Sequence, residues 1–200
     1  QTFKDFEVVL VNDGGRNIST IVNTFQQYFP IRYIFNPQSV GRTKAINLGL
    51  EQAQGKWIGY LDDDDIVYPW HYDTLINSAG KHNASFVYSD FNFVLFDSMK
   101  HFSPIRLVSA KSWDYDKQEL LIQNYMPIHT YIHLKELIQQ TGKWYENLDR
   151  LEDYDFLLRI KDFANVYHVK ELTCEYRYYL DSMNSIFQGR NEYLNALKEI

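Results

Sequence analysis

The sequence predicts an α/β fold with a mostly parallel central sheet flanked by helices and a smaller antiparallel portion in its second half. Three observations carry this prediction. Short apolar runs alternate with amphipathic stretches from Phe6 onward, in the order strand, helix, strand, helix, strand, helix. The run Trp57-Ile-Gly-Tyr-Leu61 ends directly on four aspartates, Asp62 to Asp65, where open α/β sheets place their ligands. Beyond the third helix, Ser85–Ser89 and Phe91–Phe96 follow one another with almost no linker, which reads as an antiparallel return.

Element by element, Phe6–Val11 is a buried strand and Asn12-Asp-Gly-Gly15 a turn. Ile18, Ile21, Val22 and Phe25 have helical spacing, and Pro30 stops that helix. Ile31–Phe35 is the second strand. Residues 36–41 form a loop, and the stretch from Thr43 to Gln54 is amphipathic, with Ala45, Ile46, Leu48, Leu50 and Ala53 turned inward and Gly55 as its cap. Trp57–Leu61 is the third strand, and Pro69 opens the next helix. Residues 98–115 contain Pro104 and lack a period, so they read as a loop. Asp116 caps a helix through Gln123, and Ile128–Leu134 alternates as a strand. Lys135–Gln140 is a short helix ended by Gly142, and Asp153–Phe163 is a further helix. Ala164–Val169 and Thr173–Tyr179 read as two strands, and Arg190–Ile200 as a helical tail. With no repeat and no linker, the 200 residues read as one domain.

Bulk composition narrows the function classes. Hydrophobic residues at 45% and charged residues at 23% are ordinary for a globular chain. A net charge of -6 argues against nucleic acid as the main partner. The single cysteine, Cys174, excludes an internal disulfide and a multi-cysteine zinc site. No apolar run is long enough to span a bilayer and no signal peptide is visible, so the expected setting is cytoplasmic, extending to the inner membrane face through segments outside this chain.

The chemistry concentrates in acids. Four carboxylates at a strand end repel one another, and a divalent cation with oxygen ligands is the natural compensation. One helix cap needs one aspartate, not four, and the segment after Asp65 lacks the alternate carboxylates, glycine and distal glutamate of a calcium loop. Asp13 follows the first strand as the run follows the third, so a parallel sheet brings both to one edge. Glu152 and Asp153 begin a helix; taken alone, the pair reads more readily as an ordinary acidic first turn favoured by the helix dipole.

The ordered set Glu7-Val-Val-Leu-Val-Asn-Asp-Gly-Gly15, Asn36, Gly41-Arg-Thr-Lys-Ala-Ile-Asn-Leu-Gly49 and Gly55-Lys-Trp-Ile-Gly-Tyr-Leu-Asp-Asp-Asp-Asp65 resembles family 2 glycosyltransferases of the GT-A fold. Tyr88-Ser-Asp90, Pro127-Ile-His129 and Glu152-Asp-Tyr-Asp-Phe-Leu-Leu-Arg159 extend the resemblance, which runs through Arg177. It implies an inverting enzyme that moves a sugar from a nucleotide diphosphate donor, most often a UDP-sugar, to a glycan or lipid-linked acceptor with Mn2+ or Mg2+. By the same resemblance, Asp13 contacts base or ribose, Asp62 lies at the ribose or donor sugar and Asp64 holds the metal, with Asp63 and Asp65 as substitutes because a run of four leaves the register open. Arg42 or Lys44 approaches the phosphates, the alternative being solvated charges on the helix face, and Asp153 is the general base. The nucleotide-sugar part spans about 1–97, the acceptor part about 98–180 and a tail 181–200.

Trp70, Trp113 and Trp144 are candidates for stacking on a sugar. The resemblance also leads one to expect a strand and helix before the part matching Gln1, and it places Tyr179 where many relatives have histidine. His129 and His168 are read as structural. Two other classes stay open: a nucleotidyltransferase, which also uses acids on an α/β sheet, and a non-catalytic nucleotide-sugar or glycan-binding domain of a larger protein.

Overall fold

A computed structural model describes residues 1–97, 103–110, 112–148 and 150–179. The helical tail expected at 190–200 lies outside them. The first strand, β1 (Val8–Asp13), pairs in parallel with β2 (Ile31–Asn36), from Val8 opposite Ile31 to Asp13 opposite Asn36. Helix α1 (Ser19–Phe25) connects them, and α2 (Arg42–Gln52) packs on β1, where Gly49 lets the helix approach Val11. These two strands form a sheet of their own.

The larger sheet has six strands, in the order β3 (Trp57–Gly59), β7 (Tyr131–Leu134), β5 (Phe86–Asp97), β8 (Val166–Tyr179) and β4 (Ile66–Val67), with β6 (Ser103–Ala110) also on β5. Only β5–β8 is parallel; β3–β7, β4–β8, β5–β6 and β5–β7 are antiparallel. The predicted α/β architecture is present, with more antiparallel pairing than strand–helix alternation suggested.

Several elements differ from the sequence reading. Ser85–Ser89 and Phe91–Phe96, read as an antiparallel return, form one continuous strand, β5, in which Asp90 lies at register shifts against β8 rather than at a turn. Residues 103–110, read as loop, form the edge strand β6. Pro104 cannot donate to a ladder, yet it is tolerated on an edge beside the register shift at Leu95/Phe96. The two expected strands near the C-terminal side are one, β8, because shifts in register around Asp90 absorb the irregular middle rather than ending the strand. Residues 128–130 are a turn of 3-10 helix before β7 instead of its first residues. The remaining helices are α3 (His71–His82), α4 (Lys117–Leu120), α5 (Leu137–Thr141) and α6 (Glu152–Ile160).

The main core lies between the large sheet and α6, from Phe86, Tyr88, Tyr131, Trp144, Phe156, Leu157 and Ile160. Trp144 is only 2% exposed, stacked on Phe156 at 4.8 Å, which removes it from the sugar-stacking candidates. The inner face of α2 is more polar than its pattern implied. Asn47 is buried, its Nδ2 donating to the Trp144 carbonyl (2.9 Å) and its Oδ1 accepting from the Trp144 N–H (3.0 Å). One amide satisfies both groups of a backbone unit, which no apolar residue at that position can do.

Candidate active site

The acidic run connects β3 to β4 and is closed by the Asp65 N–H donating to the Asp62 carbonyl (3.3 Å). Its four side chains have different surroundings. Asp62 accepts two parallel hydrogen bonds from Arg42, Nη1 to Oδ1 at 2.9 Å and Nη2 to Oδ2 at 2.8 Å. Asp63 is exposed. Burial raises the pKa of Asp64, and the carboxylates of Asp65, Asp62 and Asp63 add to the rise. Asp65 turns inward: its side chain is 5% exposed, Oδ2 lies 2.8 Å from His129 Nδ1, and Oδ1 accepts from the Arg177 N–H at 2.8 Å.

His129 is fully buried in the 3-10 turn before β7. Burial favours the neutral ring, but Asp65 and the Cys174 sulfur outweigh it and raise the imidazole to about 9. The ring is therefore a cation at neutral pH, beneath the acids. A second buried histidine, His71, is its opposite. Burial, with His129 beside it, lowers His71 to about 3, and its Nδ1 lies 2.6 Å from Thr173 Oγ1. Sequence reading treated His129 as a lone structural histidine; Pro127-Ile-His129 was visible, but nothing in it named Asp65 as the partner. His168 is not alone either, with Nε2 at 2.9 Å from Asp90 and Nδ1 at 3.0 Å from Asp114.

Asp153 sits in the first turn of α6. Its Oδ2 accepts from Asn124 Nδ2 (3.0 Å) and its Oδ1 from the Tyr154 N–H (2.8 Å). Burial raises its pKa, Glu152 adding to the rise while the Tyr154 N–H and Arg42 oppose it. A carboxylate of raised proton affinity, oriented by two donors, suits proton abstraction. The residue before this pair, Leu151, has φ of 61° and is 67% exposed, a left-handed conformation unusual for a branched side chain and suited to turning the chain sharply into α6.

Arg42 joins the two acidic regions. Besides Asp62 it donates through Nε to Glu152 Oε1 at 2.7 Å, so two acids far apart in the chain meet on one guanidinium. Burial acts against its charge, but Asp62 and then Glu152 push its pKa up. Lys44, two residues further along α2, is exposed.

Asp13 does not point at the acidic run. Its carboxylate accepts from Asn36 Nδ2 (2.8 Å), Ser39 Oγ (2.7 Å) and the N–H groups of Val40 (3.0 Å) and Gly41 (3.1 Å). Burial opposes its ionisation, yet these donors together lower its pKa. They fold the 36–41 loop onto the end of β1. Gly41, with φ of 97°, then starts α2 and delivers Arg42. The structure thus brings Arg42, Asp62 and the Glu152–Asp153 pair together, with Asp64 beside Asp62. It connects Asp13 to them only through the loop.

One carboxylate oxygen from each of Asp62, Asp64 and Asp65 lies within 4.8 Å of the others. An all-oxygen set of this kind matches a hard divalent cation. Asp65 is engaged by buried His129 and both oxygens of Asp62 accept from Arg42, so a cation at this cluster would share those two carboxylates with their present partners.

Residues 1–135 match the model of the family described as Glycosyl transferase family 2. Among solved structures, S. aureus TarS 1–349 aligns with 87% of this chain at a TM-score of 0.68 and 18% identity, over 53% of its own length. The same protein in complex with UDP gives a TM-score of 0.67 over 88% of this chain. These likenesses show the GT-A fold. Among curated relatives, the uncharacterized glycosyltransferase YwdF of Bacillus subtilis is 27% identical over the whole chain, which spans 74% of that protein. RP339 of Rickettsia prowazekii, also named an uncharacterized glycosyltransferase, is 27% identical, and the chain spans 61% of it. With the family's pattern running from Gln1 to Lys135 and the GT-A fold beneath it, the chain belongs to glycosyl transferase family 2.

Proposed function

We propose that this chain carries the donor and acceptor-activating groups of a metal-dependent, inverting glycosyltransferase that moves a sugar from a UDP-sugar to a glycan or glycoconjugate. The observation that carries the reading is the Arg42 bridge. It sets the acidic run after β3 beside Glu152 and the base-like Asp153 of α6. S. aureus TarS 1–349 has been solved in complex with UDP and with UDP-GlcNAc, which supports a uridine nucleotide as donor.

In this reading the acceptor hydroxyl attacks the anomeric carbon while the bond from that carbon to the diphosphate oxygen breaks. Asp153 takes the hydroxyl proton. A single carboxylate acting opposite the leaving group inverts the anomeric configuration, whereas two-carboxylate hydrolases protonate the departing oxygen. A divalent cation, Mn2+ or Mg2+, would be held by Asp64 with Asp62, and it would neutralise charge on the leaving diphosphate. Arg42 holds Asp62 in place, and Asp13 shapes the loop that presents Arg42. Among the described residues no helix is long and apolar enough to cross a membrane.

A thermal-shift screen of nucleotide sugars with and without Mn2+ tests the proposal. A UDP-sugar at a hundredfold excess over its Kd is expected to raise Tm by about 5–10 °C, and only with the metal. If no diphosphate nucleotide raised Tm, the chain would instead be a domain without donor binding.

A further inference from the structure

Five consecutive residues, Ser112 to Asp116, are each tied down by name. The Ser112 N–H donates to Asp90 Oδ1 (2.7 Å), and the Tyr88 hydroxyl donates to the Trp113 carbonyl (2.5 Å). Asp114 takes His168 and Lys170, at 3.0 and 2.8 Å. The Tyr115 hydroxyl donates to the Lys161 carbonyl (3.1 Å), and Asp116 caps α4 by accepting from the N–H groups of Gln118 and Glu119. The backbone of this segment is held rigidly, yet the Trp113 residue is 50% exposed.

The indole is backed by Tyr125, with ring centroids 6.1 Å apart and planes 22° from parallel. Tyr125 is itself anchored, its hydroxyl accepting from the Asp116 N–H and donating to the Asp116 carbonyl, both at 3.2 Å. The residue before Tyr125 is Asn124, the one that donates to Asp153. The half-open Trp113 indole is therefore linked to the contact that orients the proposed base through one intervening ring, that of Tyr125, the chain neighbour of Asn124. Trp70, also part-exposed, has its indole N–H on the Leu172 carbonyl at the start of α3, and Trp144 is core.

We infer that Trp113, backed by Tyr125, is an acceptor subsite that takes the apolar face of a pyranose ring of a glycan. The inference rests on Asp153 being the acceptor-side base. An aromatic ring whose ordering cost is already met offers dispersion and C–H contact to a sugar face. The polar groups tied to this pair of rings are Asp114, next to Trp113 in the chain and paired with His168 and Lys170, Asp116, bonded to the Tyr125 hydroxyl, and Asn124, the neighbour of Tyr125. Such polar groups suit hydroxyls better than an acyl chain. Trp113 would act on which acceptor is held, not on bond breaking.

The test uses the full chain labelled with fluorotryptophan. Fluorine NMR follows the four tryptophans during titration with methyl glycosides of glucose, galactose and N-acetylglucosamine, and separately with hexanediol as an acyl-like control. The Trp113 resonance, assigned by its loss in Trp113→Phe, is expected to shift saturably with at least one glycoside, while those of Trp57 and Trp144 stay in place. Tyr125→Ala, which removes the backing ring, is expected to weaken that response about three- to tenfold. The inference is overturned if no glycoside moves the Trp113 resonance saturably, or if hexanediol moves it as strongly. A failure of the donor reading appears separately, as absence of UDP binding in the same samples, and leaves the glycoside response standing.

Discussion

Asp153→Asn is expected to lower the rate of sugar transfer by about 10²–10⁴-fold while leaving UDP affinity unchanged. The substitution keeps size and shape and removes the ability to take a proton. Asparagine at this position still accepts through its carbonyl oxygen from Asn124 or the Tyr154 N–H, so the geometry of α6 changes little. The pH dependence follows from the direction of the shift. Burial raises the pKa of Asp153, so the reactive carboxylate is lost at a higher pH than for an ordinary aspartate, and the acid limb of the rate profile moves up accordingly. In Asp153→Asn that limb disappears from what activity remains. Transfer at the wild-type rate by the variant would remove Asp153 from the reaction.

His129→Leu is expected to destabilise the fold by about 3–5 kcal/mol, because it removes the buried partner of the Asp65 side chain. The Arg177 N–H remains on Asp65 but carries no net charge. Replacing both partners, as His129→Leu with Asp65→Leu, is expected to recover most of the loss, since an apolar pair carries no unpaired charge. Denaturant midpoints of the two single variants and the double variant measure the coupling. The pair also makes stability depend on pH. The folded-state pKa, about 9, is above the ordinary histidine value of 6.5, so the stabilisation is complete below about 6.5 and is lost as pH rises through about 9. Asp65, Cys174, neutral His71 and the Tyr176 ring, stacked at 5.7 Å, face the imidazole. A shift of this size corresponds to an effect on the order of 3 kcal/mol. Identical stability of wild type and His129→Leu at neutral pH would show that the buried contact carries no charge.

Much of the fold was legible because the signals were local. The apolar runs at Val8–Val11, Ile31–Phe35 and Trp57–Ile58 are bounded by turn residues, and β1, β2 and β3 lie there. Edge strand β6 was not legible, because Pro104 argues against a strand until a partner on one side only is known. The acids at 62–65 were readable as a candidate site from residue type, and Asp153 only through the family resemblance. Their division of labour was not. Which of four adjacent aspartates turns inward depends on His129, a residue 64 positions beyond Asp65, and that pairing leaves no periodic trace. Likewise Arg42 reads in sequence as a phosphate contact or a solvated helix charge, whereas in the fold it joins Asp62 to Glu152. The three tryptophans separated only when burial was known: Trp144 lies in the core and Trp113 is half open.

Calorimetry of UDP binding in the presence of Mn2+, with wild type and Asp64→Ala side by side, addresses the central claim most directly. Asp64 is placed among like charges that raise its pKa, an environment that a bound cation would relieve. The account predicts that Asp64→Ala weakens UDP binding in Mn2+ by at least about tenfold, the loss seen even when a residue merely bracing a metal ligand is removed. It also predicts that the variant binds UDP equally with and without the metal. Wild-type affinity and wild-type metal dependence in Asp64→Ala would contradict it.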